Sequence, residues 1–534
     1  MTEHIPPPPP PEAPVDPDPA GRSVKGAVIG GVAVAAVLAG GLGAFAVYQK
    51  LDGGGPQPHD VMPASTQAYA RLDLDPSASQ KIELFQLIRR FPDVADDIGI
   101  TSDGQDVREL IFDEVLAPEC PGLDYEDDVE PWLGSRIGIG ANIEDESFQI
   151  ALQTTDEQAS QAGIKKLFGC ADEEYGIAYL DGYAILSDTQ QAVDAAVTAT
   201  EKGTLADKKA FVDDFDALGD QGIASAWVDV AALAKVPELA EAFGEQADTF
   251  AKAGSGATTL RVDGNALELV ALSGRVSDEE PSPTDLGALP KDTIAALSVS
   301  GVGDQVGTSF DSFVQQLDGG LGAMLLPDDV DDPSSTEIDP SDDPSGDDAQ
   351  DFIDEIERET GLRLPEDLET LFGDTLTLAV GARNVEQLPT FGGPDDLSTL
   401  DVALSLTSDR ATALDLVQRL ADLAADVGIP LVTAATDRGA VLATNQDAAD
   451  AVSDPDGTLG ERDTFTKVVP DAEASSSGLF VDIGAIIDAL QQADPPDDLA
   501  KDLEEASDLS AFGLSVGEDD DHSTLRLRLA LTED

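Results

Sequence analysis

Residues 176–187 read Gly-Ile-Ala-Tyr-Leu-Asp-Gly-Tyr-Ala-Ile-Leu-Ser, two short apolar runs joined by Asp181-Gly182. A two-residue Asp-Gly loop between runs rich in β-branched and aromatic residues is typical of a tight β-hairpin. Asp263-Gly264 repeats this signal farther along the chain. The sequence therefore predicts sheets in which neighbouring strands are mostly antiparallel.

Around these hairpins the chain alternates between two hydrophobic periods. Ile137, Ile139 and Ala141 recur at every second position, which predicts a half-buried strand. Apolar residues from Val107 to Val115 recur at a spacing of three to four, which predicts a helix with one apolar stripe. Because both periods occur throughout, we expect an α+β fold.

The chain also resembles itself, and the matched segments keep their order. We therefore predict two tandem homologous repeats, residues 61–275 and 285–534. The matched pairs are Met62-Pro63 with Leu289-Pro290, Asp128 to Gly134 with Asp367 to Gly373, Phe148 to Leu152 with Leu400 to Leu404, Gly203 to Leu205 with Gly457 to Leu459, and Trp227 to Val230 with Phe480 to Ile483.

One transmembrane helix is predicted ahead of the repeats. Residues 26–48 form a run of 23 uncharged residues, enough to cross a hydrocarbon core of about 30 Å. Basic residues precede the run, so residues 1–25, which include the prolines from Pro6 to Pro11, are expected to be a cytoplasmic tail. Residues 49–60 are expected to be a linker, and the rest of the chain lies outside the cytoplasm.

A cleaved signal peptide is the alternative, because Ala44-Phe45-Ala46 resembles a processing site. The apolar part of a signal peptide is usually only about 7 to 15 residues long, after a short basic leader. An uncleaved signal-anchor in the cell membrane, with the lipid bilayer contacted through residues 26–48, is therefore preferred.

The net charge of the chain limits the classes of partner that it can bind. The chain has 106 acidic and 30 basic residues, a formal net charge of −76, so nucleic acid is an unsuitable partner. Weak binding of divalent cations is a possible role of the acidic surface. Residues 327–350 are rich in Asp, Ser and Pro and are expected to be a disordered acidic insertion in the second repeat.

Cys120 and Cys170 are the only cysteines, and both fall in the predicted extracytoplasmic part. Thiols in that location tend to be oxidised, so we expect one disulfide between them. It would close a loop of about 50 residues and stabilise the fold by about 4 kcal/mol if unstrained.

Several of these features occur together in a known family. The single anchor, the Met-Pro or Leu-Pro start, the turn Trp132-Leu133-Gly134-Ser135 or Leu371-Phe372-Gly373-Asp374 into a strand, and the repeated strand-plus-helix modules resemble the bacterial domain of unknown function 3352 family. The resemblance covers most of residues 61–533. It implies a membrane-anchored protein and supplies no catalytic residues.

No catalytic, cofactor-binding or metal-binding residues are predicted. Of three histidines, only His522 is expected in the folded part, in a solvent-facing turn, which argues against His-based triads and His-ligated zinc. Serine-hydrolase and phosphate-loop motifs are absent from the sequence. Asp229 and Asp482, where strands pass into helices, suit helix N-caps better than paired catalytic carboxylates.

The preferred functional hypothesis is a cell-envelope ectodomain without enzymatic activity that binds an unidentified envelope protein or ligand. The alternative is a carboxylate-based or metal-assisted hydrolase acting on envelope polymers. It requires at least two convergent buried carboxylates with raised pKa values. The sequence leaves open whether the repeats form separate domains or one joined sheet.

Overall fold

The computed structural model describes residues 56–73, 106–113, 117–118, 120–171, 174–219, 221–237, 247–276, 282–303, 360–386, 394–493 and 495–532, with single residues at 90, 239, 306, 310, 353, 357 and 358. The predicted tail (1–25), transmembrane helix (26–48) and acidic insertion (327–350) lie outside the described residues. Among the helices of the described residues, none is long and apolar enough to cross a membrane.

The strands fall into two sets of eight among the described residues. The first half, residues 56–276, has β1 Ala68–Asp73, β2 Leu133–Asn142, β3 Ser147–Thr154, β4 Gly176–Leu180, β5 Tyr183–Ser187, β6 Ala224–Val228, β7 Gly256–Asp263 and β8 Ala266–Gly274. The second half, residues 282–532, has β9 Thr293–Ser300, β10 Thr375–Gly381, β11 Val402–Thr407, β12 Val432–Ala435, β13 Gly439–Ala443, β14 Ser475–Val481, β15 Leu509–Glu518 and β16 His522–Leu531.

The described helices lie between the strands along the chain. In the first half they are α1 Val107–Ile111, α2 Tyr125–Asp128, α3 Glu157–Ala171, α4 Gln190–Thr200, α5 Lys209–Leu218, α6 Val230–Leu233 and α7 Ala247–Lys252. In the second half they are α8 Glu366–Phe372, α9 Arg410–Asp426, α10 Gln446–Ser453, α11 Asp463–Val468, α12 Ile483–Gln492 and α13 Asp497–Glu505.

All sixteen described strands form a single sheet in the order β12-β13-β11-β10-β9-β14-β15-β16-β8-β7-β6-β1-β2-β3-β5-β4. Every pairing between these strands is antiparallel. The halves meet at a seam where β8 pairs with β16, from Ala266 opposite Ala530 to Gly274 opposite His522. The predicted α+β class with antiparallel strands is confirmed, and the two halves share one sheet.

Both Asp-Gly signals close the hairpins that they predict. Asp181 and Gly182 have φ values of 45° and 83° and connect β4 to β5, with Leu180 opposite Tyr183. Positive φ at both central residues matches the twist of the flanking strands, and glycine adopts it without strain. At the second hairpin, Asp263 pairs with Ala266.

The two faces of the sheet carry separate cores. Face A, the side of Tyr69 and Trp227, packs against Phe211 and Phe215 of α5 in the first half. In the second half the same face packs Phe480 against Phe465 of α11, with ring centroids 5.2 Å apart. Face B, the opposite side, packs against Ile164 of α3 in the first half and Leu416 of α9 in the second. The sheet is therefore a middle layer between helices.

Residues 56–64, which we call the N-terminal strap, lie against face A of the first half. Pro58–Val61 form a 3-10 turn, and Met62 is fully buried. A Cβ at Gly138 would lie 2.3 Å from the Cβ of Pro58, and one at Gly140 would lie 2.7 Å from the Met62 Sδ. Only glycine leaves room there for the strap.

The predicted linker, residues 49–60, is therefore wrong at its C-terminal end. The His59 ring, expected in that linker, lies 5.1 Å from the Phe211 ring, centroid to centroid. Tyr183 donates a 2.8 Å hydrogen bond from its hydroxyl to the Pro56 carbonyl. The Gly-Pro composition is typical of an exposed spacer. These residues are instead buried by packing against the two β2 glycines, and no local sequence pattern reveals that packing.

Candidate functional site

Five arginines lie together on face A and form what we call the arginine band: Arg71 of β1, Arg136 of β2, Arg261 of β7, and Arg526 and Arg528 of β16. The strand register places Arg136 opposite Asp73, Arg261 opposite Glu268, and Glu268 opposite Arg528. Directly paired residues share a face, so these side chains project to the same side. The band crosses the seam between the halves.

Glu268 of β8 is the centre of the band at the seam. Its side chain is 2% exposed and forms ion pairs with the Arg261 guanidinium and, at 2.5 Å, with Arg526 Nη1. The Arg528 Nε lies 3.7 Å from the same carboxylate. A buried carboxylate of this kind is tolerated only when charged partners surround it. One glutamate from the first half is therefore neutralised largely by arginines of the second.

Two carboxylates at the edge of the band are exposed. Arg528 Nη2 lies 2.6 Å from Asp263 Oδ2, and Arg526 Nε lies 3.2 Å from Asp471 Oδ2. The Asp263 and Asp471 side chains are 62% and 56% exposed. Solvent screens such pairs, so they contribute little compared with Glu268.

The other end of the band lies under the N-terminal strap. Asp73 accepts a 3.0 Å bond from Arg71 Nη2 and lies 3.6 Å from Arg136 Nε. Burial raises the pKa of Tyr183 to about 12, against the opposing effect of the nearby Arg136 guanidinium. Burial also raises the pKa of Tyr69, the neighbour of Arg71 on β1. Both phenols are therefore neutral at ordinary pH.

The sequence does not predict the arginine band, although part of its signal is visible. Arg526-Leu527-Arg528-Leu529 alternates charged and apolar residues with the period of a strand. The pattern fits an arginine face turned to solvent equally well. The arginine face is buried because it pairs with Glu268, which lies 258 residues before Arg526. Such a long-range pairing has no local signal in the sequence.

Asp214, Ser255 and His522 lie close together at the other end of the seam strands. Asp214 of α5 is 4% exposed, and its Oδ2 accepts hydrogen bonds from Trp227 Nε1 at 2.7 Å and Ser255 Oγ at 2.6 Å. His522 Nε2 lies 3.6 Å from Asp214 Oδ1, and its Nδ1 lies 3.7 Å from Asp519 Oδ1.

This grouping has the residue types of a serine triad without its geometry. A triad serine donates its proton to the imidazole, whereas Ser255 donates directly to the Asp214 carboxylate. The prediction that His522 faces solvent in a turn is wrong. His522 is the first residue of β16, and its side chain is only 17% exposed. The cluster joins α5 of the first half to β16 of the second.

Asp229 and Asp482 serve as helix N-caps, as predicted. Asp229 Oδ1 accepts from Ala232 N, and Asp482 Oδ1 accepts from Ala485 N, each at 2.9 Å. The other oxygen of each carboxylate pairs with a cation: Asp229 with Lys208 at 2.8 Å, and Asp482 with the Arg462 guanidinium. Both carboxylates are therefore occupied by structural contacts.

Among the described carboxyl groups, Asp367 at the start of α8 has the pKa that lies farthest from its ordinary value. Arg419 of α9 donates to it with two nitrogens, at 2.6 and 2.8 Å, and the Arg363 backbone N–H donates at 2.6 Å. These contacts, led by Arg419, lower the pKa of Asp367 to about 2. A hydrolase would need a raised carboxyl pKa, so this shift is in the opposite direction.

The two cysteines lie together. Cys120 and Cys170 form a disulfide with their Cα atoms 5.7 Å apart, and neither is a free thiol. A Cα separation in this range is usual for disulfides. The bridge ties the loop before α2 to the end of α3.

A polar cleft of about 360 Å³ lies at the ends of β2, β3 and β5, beside the start of the strap. Its lining includes Pro56, Arg108, Ser135, Gln153 and Asp181. Arg108 is already engaged there by Asp106, at 2.6 Å, and by the Leu133 carbonyl, also at 2.6 Å. The cleft therefore offers a small ligand mainly hydroxyl and amide groups.

No group of three or more His, Cys, Asp or Glu side chains suited to a metal ion is found within the described ranges. Compared with models of protein families, with curated proteins and with solved structures, the chain matches none.

Proposed function

We propose that this chain is a membrane-anchored protein of the cell envelope whose acidic ectodomain binds a partner or ligand outside the cytoplasm and performs no turnover chemistry. The uncharged run of residues 26–48 would be the anchor, and residues 1–25 would remain in the cytoplasm. The net charge of −76 would keep nucleic acid and anionic lipid headgroups away from the ectodomain.

The observation that carries this proposal is the N-terminal strap. Residues that follow the proposed anchor are part of the core of the first half, through the packing of Pro58 and Met62 on β2. Only residues 49–55 separate that core from the proposed membrane helix. Seven extended residues span at most about 25 Å, so the ectodomain would be held close to the bilayer as a rigid body.

Binding is preferred to catalysis because the polar groups that resemble catalytic ones are occupied by structural contacts. Asp214 accepts from Trp227 and Ser255, while Asp229 and Asp482 cap helices. The shift of the Asp367 pKa to about 2 suits an ion pair and opposes acid catalysis. These contacts favour a binding platform over the hydrolase alternative.

We further propose that the two halves are tandem homologous repeats. The strand order β4-β5-β3-β2-β1-β6-β7-β8 of the first half recurs as β12-β13-β11-β10-β9-β14-β15-β16 in the second. Isolated bridges join Pro63 to Thr204 and Pro290 to Thr458 in the same way. These agreements support duplication, because the matched residues also correspond in sequence.

Matched ion pairs support the same proposal. Asp128 before β2 pairs with Lys166 of α3, and Asp367 before β10 pairs with Arg419 of α9. Each pair joins a short helix to the long helix on face B.

The strand register also corrects one detail of the sequence alignment. Trp227 and Phe480 correspond, and so do their ladder partners Tyr69 and Ala296. The next partners along the sheet are Gly140 in the first half and Ala379 in the second. Gly140 pairs with Gln149, whereas Ala379 pairs with Ala403. Gln149 therefore corresponds to Ala403, two residues later than the sequence match places it. A shift of two residues leaves each side chain on its predicted face, so the alignment error is invisible to pattern analysis.

Membership of the domain of unknown function 3352 family remains part of this proposal, on the motifs that carry the resemblance. It is consistent with an anchored, duplicated ectodomain and adds no activity to it.

Crosslinking in intact cells tests the binding proposal, with the full chain and its native anchor retained. We expect one envelope protein or ligand to be recovered reproducibly, and recovery to fail with a matched protein that carries only residues 1–60. A turnover activity of the purified full-length protein in detergent, abolished by Asp214→Asn, would contradict the proposal.

A further inference from the structure

Arg71 Nε, Ser225 Oγ and Thr259 Oγ1 are neighbouring buried polar groups on face A for which the described part of the chain provides no hydrogen-bond partner. Arg71 of β1 is the ladder partner of Ser225 of β6, which is the ladder partner of Thr259 of β7. Arg71, Ser225 and Thr259 are 6%, 4% and 0% exposed, respectively. Side chains opposite one another on one face stand about 4.5 to 5.5 Å apart at Cβ, so the three residues are consecutive neighbours across the ladder.

The rest of the Arg71 guanidinium is already engaged. Nη1 donates to the Gly222 carbonyl at 2.9 Å, and Nη2 donates to Asp73 at 3.0 Å. The Nε–H is therefore left without an acceptor among the described residues. A buried donor without a partner is destabilising, and more so when it is charged, so its persistence calls for an acceptor that the protein does not supply.

Gly222 limits the size of that acceptor. A Cβ at this position would lie 2.4 Å from Thr259 Oγ1 and 2.1 Å from the Leu260 carbonyl. Its φ of 63° also favours glycine. The loop between α5 and β6 thus lies directly against the Thr259 hydroxyl, so any species bound beside it must be small.

The second half provides an internal comparison. By the ladder register that relates Trp227 to Phe480, Arg71 corresponds to Ser298, Ser225 to Gly478 and Thr259 to Ser515. Ser298 Oγ has a partner in Thr377 Oγ1, 2.7 Å away. At these three matched positions, the unpartnered groups therefore lie in the half that carries the arginine.

We propose that Arg71 Nε, Ser225 Oγ and Thr259 Oγ1 form a buried site for one small monovalent anion of the halide class, such as chloride. The site presents one charge-assisted N–H and two hydroxyls that rotate to donate, and a halide accepts from all three without having to donate. The site is independent of the membrane anchor.

Thermal unfolding of the full-length protein in detergent tests the site, with chloride replaced by gluconate at constant ionic strength. The native protein is expected to show a saturable rise in Tm with chloride, and Thr259→Val, which removes a donor while keeping the side-chain volume, is expected to lose most of that rise. Ser515→Ala removes the corresponding buried hydroxyl of the second half and should retain the full rise.

Equal chloride responses in the native protein and Thr259→Val, or no chloride response in the native protein, would overturn the proposal. Anomalous diffraction from crystals grown in bromide gives an independent readout that does not depend on a variant. A bromide peak within hydrogen-bonding distance of Arg71 Nε and Thr259 Oγ1 supports the site. An ordered water at that position with no anomalous signal overturns it.

Discussion

Val270 of β8 and Arg526 of β16 are ladder partners at the middle of the seam. In the repeat alignment that we propose, they also occupy corresponding positions, because Val270 pairs with Thr259 of β7 and Arg526 pairs with Ser515 of β15. The alignment therefore matches an apolar residue of one half with a charged residue of the other. The seam joins the halves symmetrically through its backbone and asymmetrically through its side chains, since Arg526 reaches Glu268 of the first half.

Glu268→Gln should be among the most destabilising conservative substitutions at the seam. It removes the negative charge to which Arg261 and Arg526 are paired and leaves those guanidinium groups largely uncompensated. Loss of one partner from a buried ion pair costs about 3 to 5 kcal/mol. Urea unfolding measures this change, and Asp471→Asn, which removes an exposed partner of Arg526, should cost no more than about 1 kcal/mol. Equal effects of the two variants would contradict a buried seam.

The Asp367 ion pair should contribute a pH-dependent stability. The folded-state pKa of about 2 lies below the ordinary value of 3.8, so the contribution is present above pH 4 and is lost as the pH falls from 4 to 2. Asp367→Asn should be less stable than the native protein by up to about 2 kcal/mol at pH 6. The difference should shrink toward pH 2, measured by urea unfolding at both pH values. A difference independent of pH would show that charge is not its cause.

The strap should be displaced by a single methyl group. Gly138→Ala places a Cβ 2.3 Å from Pro58, and overpacking of this kind costs about 1 to 3 kcal/mol. Limited proteolysis should then cleave near residue 60 faster than in the native protein. Gly169→Ala in α3 is the matched control, because nothing lies within 4 Å of its Cβ, and it should leave both stability and strap cleavage nearly unchanged or slightly improved.

The disulfide should be detectable and stabilising. Peptides of the unreduced protein should include a crosslinked pair containing Cys120 and Cys170, which are separated by 50 residues. Paired Cys120→Ser and Cys170→Ser substitutions should lower the free energy of unfolding by up to about 4 kcal/mol through the loop-closure effect. Two free thiols in protein isolated from the membrane fraction would contradict this assignment.

Local patterns predicted the local features of the fold. The Asp181-Gly182 hairpin and the caps at Asp229 and Asp482 depend on neighbouring residues, so the sequence alone revealed them. The α+β class and the antiparallel pairing followed from hydrophobic periods and turn chemistry.

Long-range features had no such signal. The sequence places His59 in a linker because its partners, Phe211 and Tyr69, are brought to it only by the completed fold. The arginine band depends on pairs such as Arg526 with Glu268, which lie 258 residues apart. Ion pairing across a sheet is set by strand order and register, and one sequence does not specify either.

The proposed function requires the ectodomain to lie outside the cytoplasm behind a single anchor, and labelling of engineered cysteines in intact cells tests this most directly. A membrane-impermeant maleimide should label Asp520→Cys, in the exposed turn between β15 and β16, and should label Thr2→Cys only after the cells are permeabilised. The native protein, with its cysteines paired, gives the background. Labelling of Thr2→Cys in intact cells together with protection of Asp520→Cys would contradict the proposed orientation and the function built on it.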